Sequence, residues 1–410
     1  MATTPPTIDA RHRRRAEALP AAILLVALSA VAPLTVDMFL PSMPAMAVEF
    51  GVPESTMQLA VTLFIVSFAG SQIVYGPASD RYGRRPLLLA GMAIFTVGGV
   101  VALTAQSATV LIVGRVLQGL GGGAGPALAQ AIVLDVYGKQ RAARVLSYMA
   151  IALPLAPALA PIAGGFLHEA FGWRSVFVTL ALAGVVLAGG YRALLPETNV
   201  ARADRARGLG GLVADYRTVL RSRTYVAYAL VMGLMFSGQL VFISTSSFVL
   251  IDELGLDPRV YGFSFAFVAL GIMAGATWSS RLVSRRAAHE VVRLGVLVSV
   301  AGSAVMAALA WAGIHHVAGV LAPMFVTAIG LGLTRPSAMA GALVPFPQIA
   351  GLASALLGFT QMLVASTYNI AYSALVPPGS RGLASGVAIA ILAALLAVLL
   401  LRPGVRDGEA

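Results

Sequence analysis

Long apolar runs dominate this chain and limit what it can fold into. They lie near 19–40, 57–78, 87–106, 108–134, 144–167, 174–195, 224–250, 260–282, 292–313, 317–340, 350–376 and 382–401. A helix needs about 20 mostly apolar residues to cross the hydrocarbon core of a bilayer. The runs are continuous, whereas the strands of a membrane barrel alternate apolar and polar residues. We therefore predict an all-α membrane protein with twelve transmembrane helices.

The composition agrees with a bilayer as the solvent. Of the 410 residues, 58% are hydrophobic and 11% are charged, whereas soluble domains are about 25% charged. The chain has no cysteine, which excludes disulfides and thiolate metal sites. The sequence shows no metal-ligand cluster and no Ser/His/Asp arrangement. We therefore expect neither an enzyme nor a bound metal or cofactor.

The basic residues indicate an orientation. They precede the first run, follow the second, fourth, sixth and eighth, and recur after the last. The other connectors hold only Arg174, Arg259 and Arg381. Because basic loops stay in the cytoplasm, we expect a multi-pass plasma (inner) membrane protein with both termini cytoplasmic. The pI of 10.5 then reflects loop arginines and does not indicate nucleic-acid binding.

The longest polar connector divides the runs into six and six. We predict a cytoplasmic segment 1–18, a first bundle 19–195, a cytoplasmic linker 196–223, a second bundle 224–401 and a cytoplasmic tail 402–410. Some transporters are built from two six-helix halves of this kind, which are pseudo-symmetric, and we expect the same of these two bundles. Their substrate sites lie between the halves near the membrane centre.

A short connector after the second run carries the densest pattern of polar residues. Its notable members are Gly76, Asp80, Arg81, Gly83, Arg84 and Arg85. Gly83 permits a turn conformation that is closed to other residues. Asp80 can cap a helix N-terminus, and the arginines can reach carboxylates or helix carbonyls. Topology alone explains the arginines but neither Asp80 nor the glycines.

Two charges inside the runs are candidates for transport chemistry. Arg115 lies about eight residues into the fourth run, where a cation is costly in lipid and should face a cavity or a carboxylate. Asp37, late in the first run, lies at similar depth, so we expect it to be the partner of Arg115. A carboxyl group in that setting can change protonation as access alternates. The alternative is that Asp37 is solvated at the membrane interface.

Other residues inside the runs carry weaker signals. The fifth run contains Pro157, Ala160, Pro161, Gly164 and Gly165, and its glycines permit close helix packing; the alternative is a merely kinked helix. Possible cavity residues are Gln239, Arg335, Gln361, Tyr368 and Asn369. Each can instead serve helix packing, and Arg335 can extend to the headgroups.

These motifs resemble those of the major facilitator superfamily. Residues 76–85 are similar to its signature G-x-L-A-D-R-x-G-R-R, with Ala78 in place of Leu. Arg115, Gln118 and Gly119 resemble the R-x-x-Q-G motif, and residues 160–165 resemble G-P-x-x-G-G of its antiporters, with Ala160 replacing the first Gly. Together with Pro196-Glu197-Thr198, they resemble the bicyclomycin/chloramphenicol-resistance subgroup of twelve-span drug:proton antiporters.

The resemblance implies roles for these residues. It assigns proton and substrate coupling to Asp37, Arg115 and Gln118. It implies a cytoplasmic latch from Arg84 to Asp135 that is made in one access state and broken in the other; the alternative is an ordinary interfacial ion pair.

The implied function is efflux of a small amphipathic drug, phenicol- or bicyclomycin-like, in exchange for protons. No cofactor is expected, because the proton gradient would supply the free energy for transport. The expected partners are the lipid bilayer, the substrate and protons, with no nucleic acid, and the expected state is a monomer. The alternative is a proton-coupled transporter of an endogenous metabolite or nutrient on the same fold.

Overall fold

The structure, a computed structural model, describes residues 19–199, 209–376 and 379–401. Throughout these ranges the regular secondary structure is helical. The first bundle contains α1 (Leu19–Asp37), α2 (Met43–Phe50), α3 (Glu54–Tyr82), α4 (Arg84–Leu103), α5 (Ala108–Gly122), α6 (Ala124–Phe171) and α7 (Arg174–Leu194). After α8 (Leu209–Arg221) come α9 (Arg223–Ser247), α10 (Pro258–Leu282), α11 (Ala288–Trp311), α12 (Val317–Leu343), α13 (Ala350–Leu375) and α14 (Ser380–Leu401). The predicted all-α fold is confirmed.

Ten helical segments of the described chain are long and apolar enough to cross a membrane. The two remaining predicted spans, 108–134 and 144–167, lie on α5 and α6. The helix α6 is interrupted at Gly138, whose φ of 64° and ψ of 170° are not helical. A residue with positive φ favours glycine, so the chain can turn there between two helical parts. The number twelve stays a prediction.

In the first predicted span, 19–40, the α-helix is shorter than expected and a second short helix follows it. The α-helix ends at Asp37, and a 3₁₀ turn at Leu40–Ser42 leads into α2. Pro41 and Pro44 account for the break, since proline lacks the N–H that a continuous helix needs. Asp37 therefore lies at a helix end that is buried in protein.

The predicted linker 196–223 is partly helical. It contains α8, which packs on α9 and α13 of the second bundle. Val219 is buried, so this segment does more than tether the halves. The domain boundaries themselves stay a prediction.

Helix packing repeats from one half to the other. In the first half, α1 packs on α6, α3 and α4 on α5, and α4 on α7. In the second half, α9 packs on α13, α10 and α11 on α12, and α11 on α14. Each pairing in one half thus has its counterpart at the same place in the other, as expected for two pseudo-symmetric bundles.

The halves meet through α6 on α10 and through α3 on α13. Gly262 of α10 faces the backbone of Pro161 and Ile162 on α6. The Asn369 amide of α13 donates to the Thr62 hydroxyl of α3 at 2.8 Å. Thr62 lies about 30 Å along α3 from the turn at Gly83. We call the side with Gly83 the loop side and the opposite one the far side; the contacts between the halves lie toward the far side.

Close packing of α4 on α5 gives a test of the fold. A Cβ atom at Gly98 would lie 2.6 Å from the Gln118 amide nitrogen and 2.7 Å from the Gly114 carbonyl oxygen. We expect Gly98→Ala to lower the melting temperature, because overpacking costs about 1–3 kcal/mol. The control is Gly189→Ala on α7, where the part of the chain that the structure describes has no atom within 4 Å of the added Cβ. Both variants gain about 1 kcal/mol of helix propensity, so equal melting temperatures would contradict the α4–α5 packing.

Candidate functional site

Asp37 lies at the end of α1, inside the bundle. Its side chain is 4% exposed, and its Oδ1 atom has no hydrogen-bond partner among the described residues. Arg115 interacts with it electrostatically. A buried carboxyl oxygen without a donor is suited to take up a proton, since neutralisation removes the cost of a buried charge.

Arg115 of α5 is fully buried among groups of the first half. Its Nη1 donates to the Thr35 carbonyl and to Gln118 Oε1, both at 3.0 Å. The guanidinium carbon lies 4.2 Å from the ring centre of Phe39 and 4.4 Å from that of Phe64. Two aromatic faces stabilise a cation that has left water.

The expected pairing of Asp37 with Arg115 is not a direct contact. Within the described part of the chain no ion pair joins them, and Arg115 Nε and Nη2 lack partners, as does the Gln118 amide nitrogen. The guanidinium instead contacts the Thr35 carbonyl and the rings of Phe39 and Phe64. The site thus combines an acid and a cation that interact electrostatically but do not form an ion pair.

The turn between α3 and α4 has the predicted geometry. Gly83 adopts φ 99° and ψ 154°. Arg84 Nη1 lies 2.7 Å from Asp80 Oδ1, and its Nε lies 3.3 Å from Asp135 Oδ2 on α6. Arg84 also contacts the Ser79 hydroxyl. The Arg84–Asp135 contact of the latch is therefore present.

The sequence did not predict that Glu197 belongs to this loop network. Glu197 accepts from the backbone N–H groups of Arg84 at 2.9 Å and Arg85 at 3.2 Å. It thereby caps the start of α4, where a carboxylate is favoured. We expected Asp80 in such a role, but Asp80 pairs with Arg84 instead. In the sequence, only the Pro196-Glu197-Thr198 triplet pointed to Glu197, and it did not indicate which residues Glu197 contacts.

The remaining residues of the loop have peripheral positions. Arg85 Nη2 donates to the Arg192 carbonyl at 3.1 Å, and Arg81 lies over the ring of Tyr82. No atom of the described residues lies within 4 Å of a Cβ placed on Gly76, so close packing among them does not explain glycine there.

The glycines of the α6 motif face two different neighbours. Gly164 packs on the Met38 carbonyl, directly after Asp37, and Gly165 packs on the Pro258 carbonyl at the start of α10. Ala160 is buried and Pro157 is half-buried. The motif therefore joins the segment that carries Asp37 to the second half of the molecule.

The predicted cavity residues divide into different environments. Arg335 and Gln361 line one pocket with Met232 and Met235 of α9, so Arg335 faces the interior of the second half. Gln239 is half-buried on α9.

Two of the predicted cavity residues are engaged elsewhere. The Tyr368 hydroxyl donates to the Gly386 carbonyl of α14 at 2.7 Å, and its cavity role stays a prediction. The Asn369 side chain accepts from the Ser244 hydroxyl at 3.1 Å and donates to Thr62, so it connects three helices across the far side.

Comparison with known proteins identifies the family. The sequence profile described as Major Facilitator Superfamily matches residues 25–400. The chain belongs to the major facilitator superfamily. It is 30% identical over 362 residues to multidrug resistance protein D of Escherichia coli (strain K12), covering 88% of this chain and 90% of that relative. It is 30% identical over 336 residues to a chloramphenicol resistance protein of Pseudomonas aeruginosa, covering 81% of this chain and 78% of that one.

The fold agrees with that of a solved transporter structure. A D-xylose-proton symporter matches with a TM-score of 0.74 over 92% of this chain and 96% of its own, at 14% identity. That identity supports the fold alone. With its apolar helices, this member of the superfamily is a multi-pass protein of the inner membrane.

The aromatic cage around Arg115 generates a prediction for this major facilitator protein. We expect Arg115→Lys to lower the melting temperature and to abolish transport, because a lysine keeps the charge but loses the planar fork and the ring stacking. Purified protein and a cell-based efflux assay would measure the two effects.

The control is Arg174→Lys, since Arg174 also lies over a ring, that of Trp173 at 4.1 Å, but is 45% exposed. We expect an effect of at most about 1 kcal/mol there. Equal behaviour of the two variants would show that the cage of Arg115 is unimportant.

Proposed function

We propose that this protein exports small amphipathic drugs, of the phenicol or bicyclomycin type, in exchange for protons. The observation that carries the proposal is the buried Asp37 with an unpartnered oxygen near Arg115. Relatives named for multidrug and chloramphenicol resistance match more than four fifths of the chain, which supports drugs as the substrates.

Alternating access follows from where the halves touch. The contacts through Gly262 and Asn369 close the far side. We infer that the loop side faces the cytoplasm, because arginines cluster in its connectors. In that orientation this conformation is closed toward the outside, and the opposite rocking of the halves would open it there.

Asp37 would couple the proton to this movement. A proton enters at Asp37 from the outside, the halves rock, and the proton leaves to the cytoplasm as the drug binds. The return movement carries the drug out. Because Gly164 contacts the residue after Asp37 and Gly165 contacts α10, a change at the carboxyl group reaches the interface through one short segment of α6.

The latch would follow the same cycle. Arg84 joins Asp80 and Asp135 across the turn from α3 to α4, so a shift of α6 against that turn changes the bridge. We propose that the Arg84–Asp135 bond is made in one access state and broken in the other.

The proton supplies enough free energy for this work. One charge crossing 100 mV releases about 2.3 kcal/mol, which corresponds to a concentration ratio of about 50 for a neutral solute. The acid, the cation and both halves belong to a single chain. A monomer in the bilayer, with protons as the only co-substrate, is therefore sufficient for the proposed cycle.

The experiment is a susceptibility panel in an efflux-deficient host, with chloramphenicol and bicyclomycin and with or without a protonophore. We expect resistance that the protonophore removes. Everted vesicles would then give the direction of transport. Proton-driven movement of drug out of such vesicles, rather than into them, would contradict export.

Replacement of Asp37 is the sharpest test of the coupling. We expect Asp37→Asn to abolish proton-driven efflux while leaving expression and membrane insertion intact, because the amide keeps the shape of the carboxyl group but cannot exchange a proton. The control is Asp257→Asn at the exposed start of α10, where Asn caps a helix about as well as Asp. Unchanged drug efflux by Asp37→Asn would refute the assignment.

A further inference from the structure

A small pocket inside the second half contains a charged residue that the proposed cycle does not use. Three helices supply its walls: Met232 and Met235 from α9, Leu331, Thr334 and Arg335 from α12, and Gln361 from α13. Every one of these residues except Arg335 is buried, whereas Arg335 is exposed. Arg335 therefore keeps exposed surface although it lies among interior side chains.

Arg335 has no counter-charge on the three helices that line its pocket. The helices α9, α12 and α13 contain no Asp or Glu. Among the residues that the structure describes, none forms a hydrogen bond or an ion pair with Arg335. An uncompensated cation at membrane depth is costly, so its presence is best explained by a negative or strongly accepting group that comes from outside these helices.

The depth of Arg335 argues against the headgroups as its main surroundings. It lies eight residues before Leu343, the last residue of α12, which is about 12 Å along the helix. A side chain that extended to the headgroups would run along the lipid face. Arg335 instead shares its pocket with buried residues of two neighbouring helices.

The chemistry of the pocket defines what would fit. Met232, Met235 and Leu331 offer an apolar and adaptable surface, while Thr334 and Gln361 offer hydrogen-bonding groups. Asp37 in the other half is the acid near Arg115, so Arg335 stays the uncompensated charge. A cationic drug would meet repulsion here, whereas an anion would gain a charge-assisted hydrogen bond.

We propose that Arg335 binds an anionic group, or the negative end of a zwitterion, on the transported molecule. Besides the neutral drugs of the proposed function, the substrates would then include amphipathic anions or zwitterions with an apolar body that packs against Met232, Met235 and Leu331. This inference rests on the proposed function, since it takes the cavity between the helices as the substrate route.

A pair of probes with the same aromatic body tests the proposal. The probes are 1-anilinonaphthalene-8-sulfonate and its neutral parent N-phenyl-1-naphthylamine, which differ by one sulfonate. Binding to the purified full chain in phosphatidylcholine nanodiscs is measured by fluorescence, with empty discs subtracted. We expect the wild type to prefer the anion.

Variants of Arg335 should change that preference alone. Arg335→Gln should weaken binding of the sulfonate about tenfold or more and change binding of the neutral probe less than about twofold. Arg335→Lys should restore part of the preference. The control Arg286→Gln, in the exposed α10–α11 connector, should change neither. Equal binding of both probes by the wild type, binding of neither, or equal losses in Arg335→Gln would overturn the proposal.

Two further comparisons separate the alternatives. If added phosphatidylglycerol abolishes the preference for the sulfonate, a lipid headgroup is the partner of Arg335 and the proposal is wrong; if the preference persists, the proposal stands. Binding in nanodiscs needs no proton gradient. Selective anion binding by a protein that fails to export drugs would therefore contradict the proposed function while leaving the role of Arg335 supported.

Discussion

Close approach of helix backbones at glycine is the interaction on which the rest of this structure depends. In lipid, apolar side chains gain little free energy by packing on one another instead of on acyl chains. Helices therefore associate through close packing of small residues. Gly98 and Gly114 bring α4 and α5 together, and Gly302 with Gly330 does the same for α11 and α12. The two halves repeat one packing scheme because the same kind of contact recurs at matching places.

The same interaction connects the candidate site to the interface between the halves. On α6, Gly164 and Gly165 are neighbours in sequence, but they pack on different parts of the molecule: the Met38 carbonyl beside Asp37, and the Pro258 carbonyl of α10. Backbone contacts of this kind leave no flexible side chain to absorb a displacement. A shift of the segment around Asp37 would therefore be passed to α10 instead of being dissipated, which is a physical basis for coupling over a short path.

The sequence patterns predicted where a residue lies along a helix better than they predicted which neighbours its side chain faces. The apolar runs, the turn at Gly83 and the Arg84–Asp135 contact were predictable, since each depends on local periodicity, on backbone sterics or on a recognisable motif. The similar depth of Asp37 and Arg115 in their apolar runs predicted that the two residues lie near each other, but it did not indicate that Phe39 and Phe64 enclose the guanidinium.

Other outcomes depended on contacts between distant parts of the chain. Tyr368 turned toward α14, and Glu197 reached across from the end of the first bundle to cap α4. The helical character of Leu209–Arg221 was also missed. The polar composition of 196–223 indicated a connector but did not show that α8 would pack on α9 and α13.

The charges inside the membrane suggest a division of labour between the two halves. Asp37 and Arg115 lie near each other in the first half, where each charge lowers the cost of burying the other, and a proton that binds Asp37 changes the net buried charge by one unit. Arg335 lies in the second half, where no residue of the described ranges forms an ion pair with it. Proton handling and recognition of a charged substrate would then occur in different halves of the molecule, which lets the proton act on the substrate through the movement of the halves, with no need for direct competition at one carboxylate.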